Sequence, residues 1–469
     1  LQAVREALAP GQVCYLVGGA VRDYLLGHPL HDLDFALPED PTHLAKRVAN
    51  RLNVGYFVLD DQRHTARVVY KTPEGQSFPL DFVQFTGETL EEDLANRDFT
   101  LNAMALSVED LNEVIDPLEG QVDLMQGLLR PCSQHALADD PVRILRAVRL
   151  AKQFTLEYAP GLSELAQAAA RDLPKTSAER QRDELFRILE GPDPSGGIAD
   201  ADRFCAFSAM IPDPGKSDEG EIESSQLDRA LSTAAYFKTI LQLLTPLEAQ
   251  SQSKESPLVI LVSEFEPFRE KLNVYFSEEI TMGRPISSLS LFSLLLMGKN
   301  VTENNSEMAR ECARRYQLSN AEADWVRTLV QENRAVEILA GSCDLLDRRA
   351  IYLYFRKTGK VGVANAILFL AKCLAEPRKL SPSEWDRQLR IVQMLLKAWW
   401  EEQRTVINPK LLLNGHAIQK AFGLLPGAMI GQLLEQLKEA QAAGVVSTLD
   451  EAKIFITDAI QTAGESAEK

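Results

Sequence analysis

A chain of 469 residues, 45% of them hydrophobic, is long enough to bury several cores, and its length suggests about three or four domains. The formal net charge of -17 argues against a protein that coats nucleic acid nonspecifically, while leaving room for a local basic groove. No uninterrupted apolar run approaches the roughly 18 residues that a membrane span needs, so no membrane partner is expected. No basic stretch leading into an apolar core opens the sequence, so no secretory signal is expected either. The six cysteines are scattered without a Cys-x-x-Cys pair, which suits core thiols in a reducing compartment and a cytoplasmic location.

Residues 13–17 are short, apolar and partly β-branched, and predict a buried strand. Gly18 and Gly19 then allow a tight turn and a close backbone approach to a phosphate. Residues 20–26 continue as a helix whose N-terminal N–H groups face that phosphate, with Arg22 placed to neutralise it. The run HDLDFAL, residues 31–37, predicts a second strand on which Asp32 and Asp34 project from one face. Two such carboxylates are a seat for Mg2+, which takes protein carboxylates together with substrate phosphate oxygens. Two such ions stabilise both the attacking and the leaving oxygen of an in-line displacement. A lone Asp-x-Asp or Gly-Gly is commonplace, and the combination with Arg22 inside about twenty residues is what points to nucleotidyl transfer.

GGAVRDYLLG at residues 18–27, the following DLD, and RDFTLNAMAL at residues 97–106 together resemble the class II tRNA nucleotidyltransferases and bacterial poly(A) polymerases of the polymerase β superfamily. The resemblance implies an α+β protein: a small mixed-sheet head (residues 1–125) followed by an all-helical neck (126–210), body (228–403) and tail (404–469). It also implies CTP and ATP as substrates, and a tRNA held at its acceptor end and at its elbow.

Further along, residues 43–53 predict a helix, with Pro41 tolerated at its start. Residues 55–59 and 66–70 are strand-like and bracket a polar tip, where the resemblance implies a loop involved in nucleotide addition. Arg63 and Arg67 there suit either phosphate contact or plain solvation. FPLDFVQF, residues 78–85, predicts a strand carrying one acid in an apolar setting. Asp81 is thus a candidate third carboxylate able to deprotonate the attacking hydroxyl, or a structural acid.

In residues 93–106, Arg97, Asp98 and Asn102 offer donors and acceptors together, which suits a ribose; the resemblance implies that Asp98 and its neighbours discriminate ribose from deoxyribose. Residues 115–124, with Asp116 and Asp123 around Gly120, read as a turn and helix start that give structural support. DDPVRILRAVRLAK, residues 139–152, predicts an amphipathic helix with a broad basic face including Arg143, Arg146 and Arg149. Asp140 and Arg143, three apart, would lie together on it. Cytosine and adenine each set an amino donor beside a ring-nitrogen acceptor, whereas uracil and guanine present the reverse. A carboxylate beside a guanidinium matches the first two and opposes the others. The resemblance assigns the same pair as a protein template for CTP and ATP. Residues 177–189, with Ser177 as expected N-cap, carry Glu179, Arg180 and Glu184, which the resemblance casts as braces of that helix.

Residues 211–227 and 249–257 are rich in Pro, Gly, Ser and acids and read as linkers or exposed loops. The remainder is apolar-periodic, predicting helices at 228–244, 321–340, 348–356, 361–375 and 384–401, with Trp385, Trp399 and Trp400 in interhelical packing. Residues 411–456 resemble the family's tail. The expected chemistry is attack of an RNA 3'-hydroxyl on the α-phosphorus of CTP or ATP, supported by Mg2+ on Asp32 and Asp34. Full CCA addition, CC or A addition alone, and poly(A) synthesis remain open, as does a catalytically dead RNA-binding module.

Overall fold

The computed structural model describes every residue except 61–64, 73–74, 76, 212–223, 245–256, 282, 343–344 and 468–469. The predicted polar tip with Arg63, and residues 212–223 and 249–256 of the two predicted linkers, lie outside the described residues, whereas residues 224–227, expected in the first linker, instead open the helix Ser224–Leu244. The chain divides into two compact units, Leu1–Met210 and Ile211–Lys469, a coarser partition than the expected head, neck, body and tail.

The first unit opens with strand β1 (Tyr15–Val17), helix α1 (Gly19–Leu25) and strand β2 (Leu33–Leu37). Helix α2 (Thr42–Leu52) and strands β3 (Tyr56–Asp60), β4 (Thr65–Lys71) and β5 (Ser77–Gln84) follow. Helix α3 (Leu90–Ala95) and strands β6 (Ala105–Ser107) and β7 (Val114–Ile115) complete the head. The strands form one mixed sheet in the order β3-β4-β5-β2-β1-β6-β7. Only β2 and β5 run parallel; the other neighbours are antiparallel.

Alternation along β2 decides which face carries chemistry. Leu33, Phe35 and Leu37 turn into a core shared with Leu44, Val48 and Phe82, where Phe35 stacks on its cross-strand partner Phe82 at 4.9 Å between ring centroids. Asp34 and Ala36 turn to the other face. There α3, through Leu90 and Leu94, covers Val17, Ala36 and Ala105. Burial of one face therefore sets the register that leaves Asp34 at the uncovered part of the opposite face.

Beyond the sheet lie helices α4 (Arg143–Phe154) and α5 (Ala178–Glu190). Here the expected helix over 139–152 needs correction: it starts at Arg143, and Asp139 closes a separate helical turn. Asp140 precedes Pro141, whose ring disfavours helical geometry at the residue before it, and Asp140 is extended at φ -145°, ψ 91°. Ser177 stands at the N-cap of α5 but makes no side-chain capping bond.

The second unit is built of helices. Ser224–Leu244, Arg348–Thr358, Val361–Ala375 and Pro382–Glu401 fall close to their predicted spans. The single helix expected at 321–340 is instead two, Asn320–Gln331 and Ala335–Ser342, because Asn333 turns back to donate to the Val330 carbonyl and ends the first. Trp385 is buried and donates to Pro257 O, while Trp399 packs on Phe355 and Trp400 on Phe268. Helices Gly415–Phe422, Ala428–Ala443 and Leu449–Ala467 close a small core around Ile418, Leu433, Leu437 and Ile456. No single helix among the described residues is long and apolar enough to cross a membrane.

Residues 115–124 act as the brace their composition suggested. Asp116 accepts from the Gly120 and Gln121 amides, and buried Asp123 accepts from Thr100 and Arg130. A Cβ on Gly120 would stand 2.2 Å from Thr100 O, in the turn that carries Asp98 and Asn102. Gly120→Ala should therefore destabilise the first unit by about 1–3 kcal/mol through overpacking, read as a lower midpoint in urea unfolding.

Candidate active site

The site is built on one cross-strand row. Val17 of β1 lies opposite Asp34 of β2, which lies opposite Asp81 of β5, so the three side chains share a face. Asp32 stands just before β2, on the same side of the alternation as Asp34, and is exposed. The carboxyl of Asp34 is pushed up to about 6 by burial first and then by the charges of Asp32 and Asp81; Arg97 and Arg146 pull the other way without prevailing. Gly18, at φ +75°, ends β1 directly above. A Cβ there would sit 3.3 Å from both the Arg97 guanidinium and an Asp34 carboxylate oxygen, so only glycine leaves that gap open and takes that backbone conformation without strain.

Asp81 is held as well as aligned. Arg67, its partner across β4 and β5, grips it with two hydrogen bonds of 2.7 Å. Among the described residues no group of three His, Cys, Asp or Glu is arranged to hold a metal ion by itself. What remains is an open pair, Asp32 and Asp34, with Asp34 suffering uncompensated like charge. That donor set fits Mg2+, which is commonly bound by one or two carboxylates plus substrate phosphates rather than by a protein cage.

Arg97, four residues after Asp93, is clamped to it at 2.9 Å on the last turn of α3 and the loop beyond. Asp98 is buried. Burial opposes its charge, but Arg146, the Phe99 amide, Asn102 and Arg143 outweigh that and lower its pKa. Arg146 Nε lies 2.5 Å from Asp98 Oδ2, an ion pair in which neither atom is aligned for a directed hydrogen bond. Arg22 is committed elsewhere: buried, it donates to Asn102 and Asp23 and lies 4.3 Å from the ring centroid of Phe154. It fixes Asn102 and, through Phe154, the end of α4, and it does not line the cavity described next.

A cavity of about 360 Å3 opens between Gly18, Gly19, Asp34, Arg97, Asp98 and Asn102 on the head side and Asp140, Arg143 and Arg146 on the α4 side. Ten of the thirteen predicted site residues thus reach one space or border it through Asp34, whereas Arg22, Arg149 and Asp81 stand behind or beside its wall. Arg149 is bound to Glu184 at 2.6 Å and buttresses α4 against α5.

The expected base-reading pair is assembled differently from a simple helical ion pair. Arg143 spends its terminal nitrogens on the carbonyls of Asn96, Arg97 and Ala136, and its Nε is 3.8 Å from Asp140. Asp140 is gripped by Arg180 of α5 through both oxygens. Arg180, Asp183, Glu184 and Arg187 also line the cavity. Their i, i+3, i+4, i+7 spacing marks one helix face, a signal present in the sequence where the resemblance implies only bracing.

Residues 14–130 match the model of the poly A polymerase head domain. The sheet, the acid row and the glycine-ended strand are those of a nucleotidyltransferase. The CC-adding tRNA nucleotidyltransferase of Geobacter sulfurreducens is 30% identical over 94% of this chain and 91% of its own. The A-adding tRNA nucleotidyltransferase of Deinococcus radiodurans is 29% identical over 94% of each. The chain belongs to the tRNA nucleotidyltransferase family, whose enzymes depend on a metal ion. In fold it is similar to a solved CCA-adding enzyme in complex with ATP, with TM-score 0.66 and 19% identity over 98% of both chains. The Thermotoga maritima CCA-adding enzyme complexed with tRNA gives TM-score 0.61 at 19% identity, again over 98% of each.

The crowding at Asp34 makes a signed prediction. Its carboxyl rises from 3.8 to about 6 on folding, so the stability it contributes is present below pH 3.8 and is lost as pH climbs through about 6. In EDTA, Asp34→Asn should match wild type near pH 4 and melt higher near pH 7. Mg2+ should raise the wild-type melting temperature near pH 7, barely move it near pH 4, and leave Asp34→Asn unchanged.

Proposed function

We propose that this protein transfers nucleotides from CTP, ATP or both to the 3' end of tRNA, as CCA addition or one of its two parts, with release of pyrophosphate and with Mg2+ as the ion. The observation that carries this reading is the open Asp32–Asp34 pair bordering a cavity lined by arginines and by Asp140. Mg2+ held there would lower the pKa of the attacking RNA hydroxyl and offset negative charge on the nucleotide's phosphates.

The chain's own residues do the positioning. Gly18 leaves room for phosphate beside Asp34, and Arg97, held by Asp93, presents positive charge at that gap. Asp98, kept ionised and fixed by Asn102 and Arg146, offers an acceptor for a ribose hydroxyl. Asp140, immobilised by Arg180, offers an acceptor for an exocyclic amino group, which CTP and ATP possess at the matching edge. No side chain serves as a covalent nucleophile; the rate comes from alignment and charge.

The named relatives support tRNA as the acceptor, and the helical second unit supports a tRNA body and elbow as its ligand. A cytoplasmic site of action follows from that substrate, and the five cysteines among the described residues are free thiols.

Full-length protein with Mg2+, a tRNA ending before CCA or after CC, and labelled CTP or ATP supplied separately decides both activity and product. Incorporation is expected with at least one pairing. Asp32→Ala and Asp34→Ala should each cut it by at least about a hundredfold while tRNA binding stays within a few-fold. Retained binding without incorporation by wild type would make the chain an RNA-binding module instead. Asp140→Asn should narrow the preference for CTP and ATP over UTP and GTP by about tenfold or more, leaving the preference for ribose in place.

A further inference from the structure

The acid row does not end at Asp81. Across β4 it continues to Arg67, and across β3 to Phe57, whose register partner is Arg67. Paired residues share a face, so Asp34, Asp81, Arg67 and Phe57 form one line on the chemistry-bearing side of the sheet. Neighbouring strands are about 4.8 Å apart, which sets Phe57 about 14 Å from Asp34 along that line.

The two directions along the row differ. Toward β1 and β6 it runs into Val17 and Ala105, buried beneath α3, with the arginine-lined cavity beside Asp34. Toward β3, the side-chain exposure rises from 18% at Asp81 to 42% at Arg67, and Phe57 is 58% exposed on the sheet's outermost strand. Tyr56, next to it, turns inward and packs on the core, so β3 is anchored while Phe57 is left on the surface. Val58 and Leu59 beside it are 44% and 50% exposed, so the edge as a whole is an apolar shelf with one aromatic ring.

If the incoming nucleotide occupies the cavity, the attacking RNA end reaches Asp34 from the other side, over β5, β4 and β3. We infer that Phe57 is the stacking platform for the penultimate base at the 3' end of the acceptor RNA, since the distance to Asp34 exceeds the reach of a single nucleotide. It is a positioning residue that holds the strand so that its terminal hydroxyl arrives beside Asp34 and Asp81. This rests on the nucleotidyl-transfer reading above. A phenyl ring suits that role because acceptor ends differ in base while every base offers a π-face, so stacking holds them all with little sequence preference. Arg67, anchored on Asp81, holds a partly exposed guanidinium between the platform and the acids, along the path the RNA backbone would take.

The test uses full-length protein and a tRNA shortened at its 3' end, with kcat and KM measured separately for tRNA and for nucleotide. Phe57→Ala should raise the KM for tRNA between about fivefold and a hundredfold, with nucleotide KM and kcat at saturating tRNA within about twofold. Phe57→Tyr should keep the wild-type KM, and Phe57→Leu, which restores apolar bulk without a π-face, should behave like alanine. A second readout needs no turnover: 2-aminopurine as the penultimate base of the shortened tRNA should be quenched on binding wild type and Phe57→Tyr but not Phe57→Ala. An unchanged tRNA KM and unchanged quenching in Phe57→Ala, or a full return of both in Phe57→Leu, overturns the assignment. Absence of incorporation by wild type would count against nucleotidyl transfer itself, and the quenching arm still reads Phe57 independently of it.

Discussion

Repulsion among carboxylates is the constraint around which the first unit is arranged. Register sets Asp34 beside Asp81, and the loop before β2 adds Asp32, so three acids crowd one patch of sheet, and burial first and then that crowding raise the Asp34 carboxyl to about 6. A fold selected only for stability would place apolar groups there, as it does two residues further along at Ala36. The neighbourhood limits the repulsion without abolishing it. Arg67 neutralises Asp81 from one side, while Arg97 and Arg146 act on Asp34 from the other. The result is an acid pair still able to gain from a cation, at the mouth of a cavity and not in a sealed core.

The same logic extends to the two helices. Arg146 answers Asp98, Arg149 answers Glu184, and Arg180 answers Asp140, so each of these charged groups has a partner from a different element. These pairs tie α4 to the head and α5 to α4. Pro141 has a part in this. By breaking the helix it frees Asp140 from helical geometry, and the carboxylate can then meet Arg180 on α5 while staying within reach of Arg143.

Much of this is legible in the sequence because it is local. The glycine pair ending an apolar run, the Asp-x-Asp alternation and the apolar periods of the helices each depend on residues a few positions apart, and the helical second half follows from the same periods. What escapes such a reading depends on pairing across distance. Arg67 finds Asp81 only through the β4–β5 register, and Arg22 meets Asn102 from 80 positions away, which turns an expected phosphate ligand into a buried strut. Arg180 is visible as a charge on a helix face, but nothing local ties it to Asp140. The break before Arg143 is present as Asp140–Pro141, yet the apolar period runs on past it and hides the boundary.

The charge inside the cavity bears on why a cation is needed at all. Five arginines line it, Arg97, Arg143, Arg146, Arg180 and Arg187, and five acids line it with them, Asp34, Asp98, Asp140, Asp183 and Glu184. The wall is thus formally balanced, in a chain whose net charge is -17. Arginines already paired with carboxylates rigidify the walls and present shape and direction, but they supply little surplus charge to a nucleoside triphosphate. On the function proposed above, attraction for that ligand would come with the divalent ion, and Asp32, which lies outside that balanced count and adds its charge beside Asp34, marks where the ion would be held. Under the proposed function, metal binding and nucleotide binding would therefore be coupled by electrostatics, each supplying charge that the cavity lacks for the other.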